Sequence, residues 1–358
     1  MSLPSPKHED WRWSDLVGIE AARAAVAAND ASFDSTPWRV GDGPLWVFVD
    51  GRLVERPHGP GADYERAGHP LIEDGVRVRG LELALGREHA SAGLIQMLHV
   101  ATGGPAHLAL RYALAEDAQA AVVETFVQLG DTPAWANLGV EIALARGARL
   151  MRHTRRFEAA GTATETTLAT VGQGASYAGT TLLAGAASAR ADTRVTLAAP
   201  GAFASVDGAI LAGGTAKHDI QTVLLHAVPD TVSRQTWRAV ARGQGTASVA
   251  GRVEIVRDAQ RSNAAQSIRG LVLDRTATIN AKPELEIFAD DVKAAHGCTV
   301  GELDAQALFY MAARGVGPVR AKALLTQAVL AQALAQAGDE TVREAFETDA
   351  FAWLEQGR

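Results

Sequence analysis

A single cysteine, Cys298, stands among 358 residues, so the chain can build no internal disulfide framework and suits a reducing compartment. Positive charge is also short. With 34 Lys and Arg against 41 Asp and Glu, the formal net charge is −7, and the basic field that a nucleic-acid binder or a membrane-surface protein relies on is missing. No apolar run is long enough to span a bilayer, and the opening MSLPSPKHEDWRW has no basic stretch leading into an apolar one, so no secretory signal is expected. The phosphate-cradling pattern GxxxxGK[ST] does not occur. Its nearest relative, GGTAKHD at 213–219, lacks the second glycine and the Lys-Ser/Thr ending, so the chain is not expected to bind ATP itself. There is no GxSxG, and the aspartates do not gather as a calcium or polysaccharide-lyase site requires. What remains is a soluble cytoplasmic protein of ordinary texture, 47% hydrophobic and 21% charged, long enough for two or three domains.

Residues 14–29 read as a helix capped by Ser14, with Leu16, Ile19, Ala22 and Val26 forming an apolar stripe. Trp11, Trp13 and Trp38 read as packing anchors. LWVFVDGRLVE at 45–55 alternates and then meets Asp50-Gly51, a hairpin signal. The following PHGPGADYERAGHP, with His58 and His69, reads as a solvated loop.

From about residue 100 to 298 the texture changes. Ala, Gly and Thr become frequent, and a turn-like residue followed by alanine recurs: Asp117-Ala118, Gly147-Ala148, Gly174-Ala175 and Gly201-Ala202, at spacings of 30, 27 and 27. Asp258-Ala259, Thr276-Ala277 and Ala294-Ala295 follow at 18, with VEIV (253–256), LVL (271–273) and ELEIF (284–288) between them. One short strand per small-residue corner at a fixed distance is the mark of a stacked coil, so a parallel β-helix is expected, with 253–256 and 271–273 as parallel neighbours. The alternative is a β-sandwich whose spacing is accidental. After residue 300 three helical segments follow, and a helical cap over the open end of the β-helix is expected. The division that results is a mixed helical domain with a hairpin at 1–98, a β-helix core at 99–299 and a helical domain at 300–358.

The most chemically loaded stretch is KPELEIFADDVKAAHGCTVG at 282–301. In extended backbone, residues two apart share a face, which sets His296 beside Cys298. Imidazole and thiolate are both ligands for iron or zinc, and the thiolate is also a nucleophile. A buried structural role for Cys298 is the plainer reading. His153, His218 and His226, lying in strands, read as hydrogen-bonded structural residues. ARGVGPVRAKALL has the outline of a helix-hairpin-helix that grips DNA phosphates, with Arg314, Arg320 and Lys322 in its favour and the acidic chain against it.

The segment LEIFADDVKAAHGCTVGELDAQALFYMAARGV resembles the C-terminal signature of the SufD family, scaffold subunits within the SufB/SufD group of the SUF iron–sulfur cluster assembly system. That signature runs P-x-LEI-x-ADDVK-x-x-HGATVG-x-x-D, then FY and an RG turn. It is met here by Pro283, Leu285 to Ile287, Ala289 to Lys293, His296-Gly297, Thr299 to Gly301, Asp304, Phe309-Tyr310 and Arg314-Gly315. Weaker similarity runs upstream through VFVDGRLV, VVETF, VEIALARGARLMRH and QTVLLHAVPDTVSRQTWRAV. The resemblance implies a mainly β protein, a right-handed parallel β-helix flanked by N- and C-terminal helical parts. It implies a non-enzymatic scaffold that pairs with SufB and docks the ABC-type ATPase SufC through its C-terminal helices, so that ATP belongs to the partner. It further implies a transient cluster shared with SufB, held by His296 and, if the thiol takes part, Cys298. Phe309, Tyr310, Arg314 and Gly315 become the partner-binding candidates, and a homodimer is possible in isolation. Two departures stand out: Ala294 where the family often has Cys, and Cys298 where it usually has Ala. The alternatives from the residues alone are a β-helix enzyme acting on carbohydrate and the DNA-contacting hairpin.

Overall fold

The computed structural model describes residues 4, 7–28, 33–67, 71, 77–89, 93–158 and 160–356. Alternating runs bounded by turn residues give strands β1 (Leu45–Val49), β2 (Arg52–Glu55), β3 (Ala62–Ala67), β4 (Arg77–Leu85) and β5 (Leu94–Ala101). Then come β6 (Gly104–Leu114), β7 (Gln119–Gln128), β8 (Ala134–Leu144), β9 (Arg149–Phe157), β10 (Thr162–Val171), β11 (Ser176–Leu183) and β12 (Ser188–Leu197). The series ends with β13 (Phe203–Ala212), β14 (Lys217–His226), β15 (Val232–Ala241), β16 (Thr246–Ile255), β17 (Asn263–Val272), β18 (Thr278–Ile287) and β19 (Lys293–Gly301). The expected parallel β-helix is present. From β4 onward the chain winds through about eight coils, each giving one strand to each of two sheets. Odd strands from β5 to β19 stack in the first sheet, even strands from β4 to β18 in the second, all parallel and in register. The inward side chains of both sheets form one continuous core, including Leu83, Tyr112, Val140, Ala169, Val195, Leu224, Trp237, Val253 and Ile268.

The recurring corner residues have a physical cause. Asp117, Gly147, Gly174, Gly201, Asp230 and Arg261 all adopt positive φ. Each donates its N–H to a carbonyl of the next coil, as Asp117 does to Arg146, Gly147 to Gln173 and Gly201 to Asp230. The left-handed turn favours glycine or aspartate there, so this corner is written into the sequence.

The expectation of one strand per turn is corrected. A coil holds two strands, so 253–256 and 271–273 lie in opposite sheets, β16 pairing with β14 and β18 while β17 pairs with β15 and β19. The spacing of 18 mixed the two corners with Ala294-Ala295, which is inside β19.

Three local expectations also change. Helix α1 covers only Val17–Ala24. Its Ser14 does not cap it but donates to the Asp219 carboxylate, while Asp15 receives the Val17 N–H at 3.0 Å. Ile19 and Ala22 pack on Trp135, whereas Val26 is exposed. Part of the supposed loop at 57–70 is β3, antiparallel to β4; His58 is exposed, and His69 lies outside the described residues. The Asp50-Gly51 hairpin joins β1 to β2 as expected, but β1 also pairs in parallel with β5 and so extends the first sheet. Trp11 stacks on the Arg190 guanidinium at 3.8 Å and Trp38 leans on Phe157 at 5.8 Å, consistent with anchoring.

The C-terminal helices are α2 (Ala305–Ala313), α3 (Pro318–Leu334) and α4 (Glu340–Glu355). Pro318 starts α3 where its missing N–H costs nothing, and the Asp339 carboxylate caps α4 by accepting from Val342 N at 3.0 Å. These helices do not close the end of the solenoid. Leu330, Leu334, Phe346 and Trp353 instead bury themselves against Val123, Leu182, Leu211, Val240 and Leu271 on the outer face of the first sheet. Arg155 ties α4 down through Asp349 at 2.8 Å, and Arg238 holds Gln332 of α3. Among the described residues the terminal strands β18 and β19 therefore keep an unpaired edge.

Beneath this helical cover lies a polar column in which His153, Thr180 and Asp207 are successive register partners. Both His153 nitrogens, Thr180 Oγ1 and Asp207 Oδ1 lack a hydrogen-bond partner among the described residues. Burial raises the Asp207 carboxyl to about 6, against hydrogen bonds from Ser205 and Thr236. A carboxyl with a raised folded pKa loses stability as pH climbs through the interval between its unfolded and folded values. The cost is complete above about pH 6. Asp207→Asn is therefore expected to gain up to about 3 kcal/mol at pH 7.5. The gain should fade toward zero near pH 4. Urea unfolding at the two pH values checks this; equal gain at both would refute it.

Candidate functional site at the open end of the solenoid

In β17 the residues Ala264, Gln266 and Ile268 face the lumen and are buried. Their register partners in β19 are Ala294, His296 and Cys298. His296 and Cys298 thus share a face as expected, and that face is the inner one. They are nevertheless exposed, because no further coil covers them. Partial desolvation raises the Cys298 thiol above its ordinary value, the opposite of the shift that activates a thiolate. The acidic turn is a corner rather than a ligand cluster. Asp291 accepts the Arg261 N–H at 2.6 Å through its carbonyl and donates its own N–H to Gln260 at 2.9 Å. Among the described residues no three His, Cys, Asp or Glu side chains gather closely enough to hold a metal ion. The mouth offers one imidazole and one thiol, an incomplete set that a second molecule would have to complete.

The edge around them is equally incomplete. Among the described residues β19 pairs only with β17, and β18 only with β16. β18 carries Pro283, which has no N–H to give a further strand; β19 has no proline. Of the two edges, β19 is the better template. Exposed Ile287, Phe288 and Val300 add apolar surface.

The second expected site, α2, projects from the body. None of its residues is buried. Phe309 is 76% and Tyr310 57% exposed, so neither belongs to a core of the helical region. Asp304 caps the helix by accepting the Gln306 N–H at 2.8 Å. At its other end Arg314 lies over the Tyr310 ring at 4.4 Å, and Gly315 takes φ +79°, which lets the chain reverse into α3.

His218 and His226 are structural, as expected. His218 bonds the Ala186 carbonyl at 3.0 Å, and His226 sits between Thr231 and Ser233 at 2.7 and 2.8 Å. Burial depresses both to about 4. His153 departs from that expectation: it makes no hydrogen bond among the described residues and packs edge-on to Phe346 at 6.4 Å.

An internal charged cluster escaped the sequence reading. Arg152 and Arg156 point into the lumen from β9, where Arg152 bonds both oxygens of Glu124 at 2.6 and 3.1 Å and Glu165 at 2.8 Å. Arg156 bonds Glu165 at 2.9 Å and Glu158 at 3.2 Å. All five side chains are buried. The only sequence signal was MRHTRRF, an arginine-rich strand between strands of ordinary polarity.

The family described as SUF system FeS cluster assembly, SufBD core domain, matches residues 104–329. The iron–sulfur cluster assembly protein SufD of Escherichia coli is 25% identical over 370 aligned residues, covering 96% of this chain and 87% of that protein. The chloroplast protein ABCI7 of Arabidopsis thaliana is 41% identical over 99 residues, 27% of this chain and 21% of that protein. An iron–sulfur cluster assembly SufBD family protein of Synechocystis is 38% identical over 108 residues, 30% of this chain and 24% of that protein.

Proposed function

This chain belongs to the SufBD family of the SUF iron–sulfur cluster assembly system, and from that premise we propose that it is a SufD-type scaffold subunit working in complex. It pairs with SufB through the unpaired edge of β19 and carries the ATPase SufC on α2, so that ATP is hydrolysed by the partner. The observation that carries this reading is the open mouth: an unpaired parallel edge with His296 and Cys298 on its inner face. An exposed strand edge is a template for a further strand. A second molecule added there would close the lumen and bring its own donors beside His296. The cluster is cargo, assembled between two chains and passed on, and this chain alone should purify colourless. In the absence of SufB the same edge would serve a second copy of the chain. Among the described residues no helix is long and apolar enough to cross a membrane.

The test is reconstitution with SufB and SufC. His296→Ala is expected to leave complex assembly on size-exclusion chromatography unchanged while cluster formation, followed by visible absorbance, falls at least tenfold. Cys298→Ala is expected to be milder, because its thiol is not activated. Full cluster formation by the His296 variant in an intact complex would make that residue structural.

A further inference from the structure

Resting on that reading of His296, we infer that Gln266 is a positioning residue for its imidazole. Gln266 is the register partner of His296 on the adjacent strand, one rung inward on the same lumen face. Neighbouring strands lie about 4.8 Å apart, so a glutamine amide reaches the ring of the residue beside it. Gln266 is 4% exposed, yet neither its Oε1 nor its Nε2 has a partner among the described residues. The next glutamine inward behaves differently. Gln235, the register partner of Gln266 on β15, accepts from Thr222 at 2.6 Å and donates to the Arg252 carbonyl at 3.2 Å. Room for both amides comes from Gly251 on the facing sheet. A Cβ there would stand 2.6 Å from Gln235 Oε1 and 3.4 Å from Gln266 Nε2.

A buried amide with both ends unsatisfied is costly, and apolar residues of the same size would fill the space without that cost. Toward the mouth, the ring with hydrogen-bonding capacity on the neighbouring strand is that of its register partner His296; further in, the Trp237 indole on β15 also has an N–H unsatisfied among the described residues. A neutral imidazole has one N–H and one free lone pair, and a ligating histidine ordinarily gives its N–H to an oxygen behind it. A rotation of either side chain would let Gln266 Oε1 accept that N–H, fixing the tautomer and leaving the other nitrogen's lone pair directed out of the mouth. Gln266 does not itself touch the cargo.

The test uses the full-length chain labelled with ¹⁵N-histidine, at a pH where imidazole is neutral. Long-range ¹H–¹⁵N correlations report the His296 tautomer, identified by the signals that vanish in His296→Ala. The native chain should show one dominant tautomer. Gln266→Leu, with Gln266→Met as the alternative should leucine fail to fold, should relax it to the mixture of a free imidazole. Gln266→Glu, which keeps an acceptor, should restore the single form. Titration of the same chains with Co²⁺, followed by thiolate-to-cobalt absorption, should show about tenfold weaker binding in Gln266→Leu, the size expected when the partner behind a metal-binding histidine is lost. An unchanged tautomer and unchanged Co²⁺ affinity in a folded Gln266→Leu would overturn the assignment and leave the amide to a buried water. These readouts do not involve cluster assembly, so failure of the scaffold reading and failure of this one remain separable.

Discussion

Replacing Arg152 with leucine is expected to destabilise the solenoid by about 3–5 kcal/mol, the usual consequence of removing one partner from a buried charge cluster. Arg152 holds Glu124 with two bonds and Glu165 with one, and the Tyr112 hydroxyl completes the Glu124 carboxylate at 2.7 Å. Without the guanidinium, Glu124 would be left fully buried with Tyr112 and a distant ring. His99 Nε2 lies 3.7 Å away and is stacked between Phe48 and Phe126. It cannot take over as a cation, because burial holds it at about 3. Glu165 adds a pH dependence. Burial would raise its pKa, but Arg152 and Arg156 outweigh burial and hold it at about 2. A depressed carboxyl contributes stability that is complete above its unfolded value and is lost as pH falls toward its folded one. That contribution is about 3 kcal/mol, present above pH 4.5 and gone near pH 2. Arg152→Leu should therefore also move the acid-unfolding midpoint upward. Arg152→Leu combined with Glu124→Gln should recover much of the loss, since the orphaned charge goes with its partner. Urea unfolding of the native chain and the two variants decides the matter. A single variant within about 0.5 kcal/mol of the native chain would show that water already reaches these groups.

The contrast between what the sequence disclosed and what it hid follows from the geometry of a coil. One corner is legible because it needs a left-handed residue, and glycine or aspartate answers at 117, 147, 174, 201 and 230. The opposite corner lacks so regular a residue, which is why two strands per coil read as one. The lumen charges were hidden for another reason. Arg152 meets Glu124 and Glu165 only because strands 28 and 13 residues away stack beside and across from it. The position of α3 and α4 was misread as a cap over the open end: that β13, FASVDGAILA, is buried on both faces apart from its first residue emerges only once the helices are seen on that sheet. At the mouth, His296 and Cys298 could be paired by spacing, but which face they occupied depends on register with Gln266 and Ile268. The unsatisfied amide behind them has no signature in sequence at all.

The second large effect is expected at α2. Substituting serine for both Phe309 and Tyr310 should weaken capture of SufC by 100-fold or more, while the melting temperature of the isolated chain stays unchanged. Large exposed aromatics at the centre of an interface commonly contribute about 2 kcal/mol or more each on truncation, and 1.4 kcal/mol is a factor of ten. The two are not additive, so 100-fold is the conservative figure. Stability should move little because α2 has no buried residue and both aromatic rings are largely exposed, Tyr310 lying under the Arg314 guanidinium. A short helix this apolar, projecting from the body and capped at its start by Asp304, is costly to leave in water and is best explained by a surface that covers it. Its aim is set by the turn that follows. Gly315 at φ +79° accommodates a conformation that a side chain would strain, so Gly315→Val should weaken SufC capture without removing any contact residue. Surface plasmon resonance with SufC, alongside thermal melts of each variant, separates docking from folding. Loss of melting temperature with retained capture would return both aromatics to a structural role and move the ATPase to the α3–α4 face.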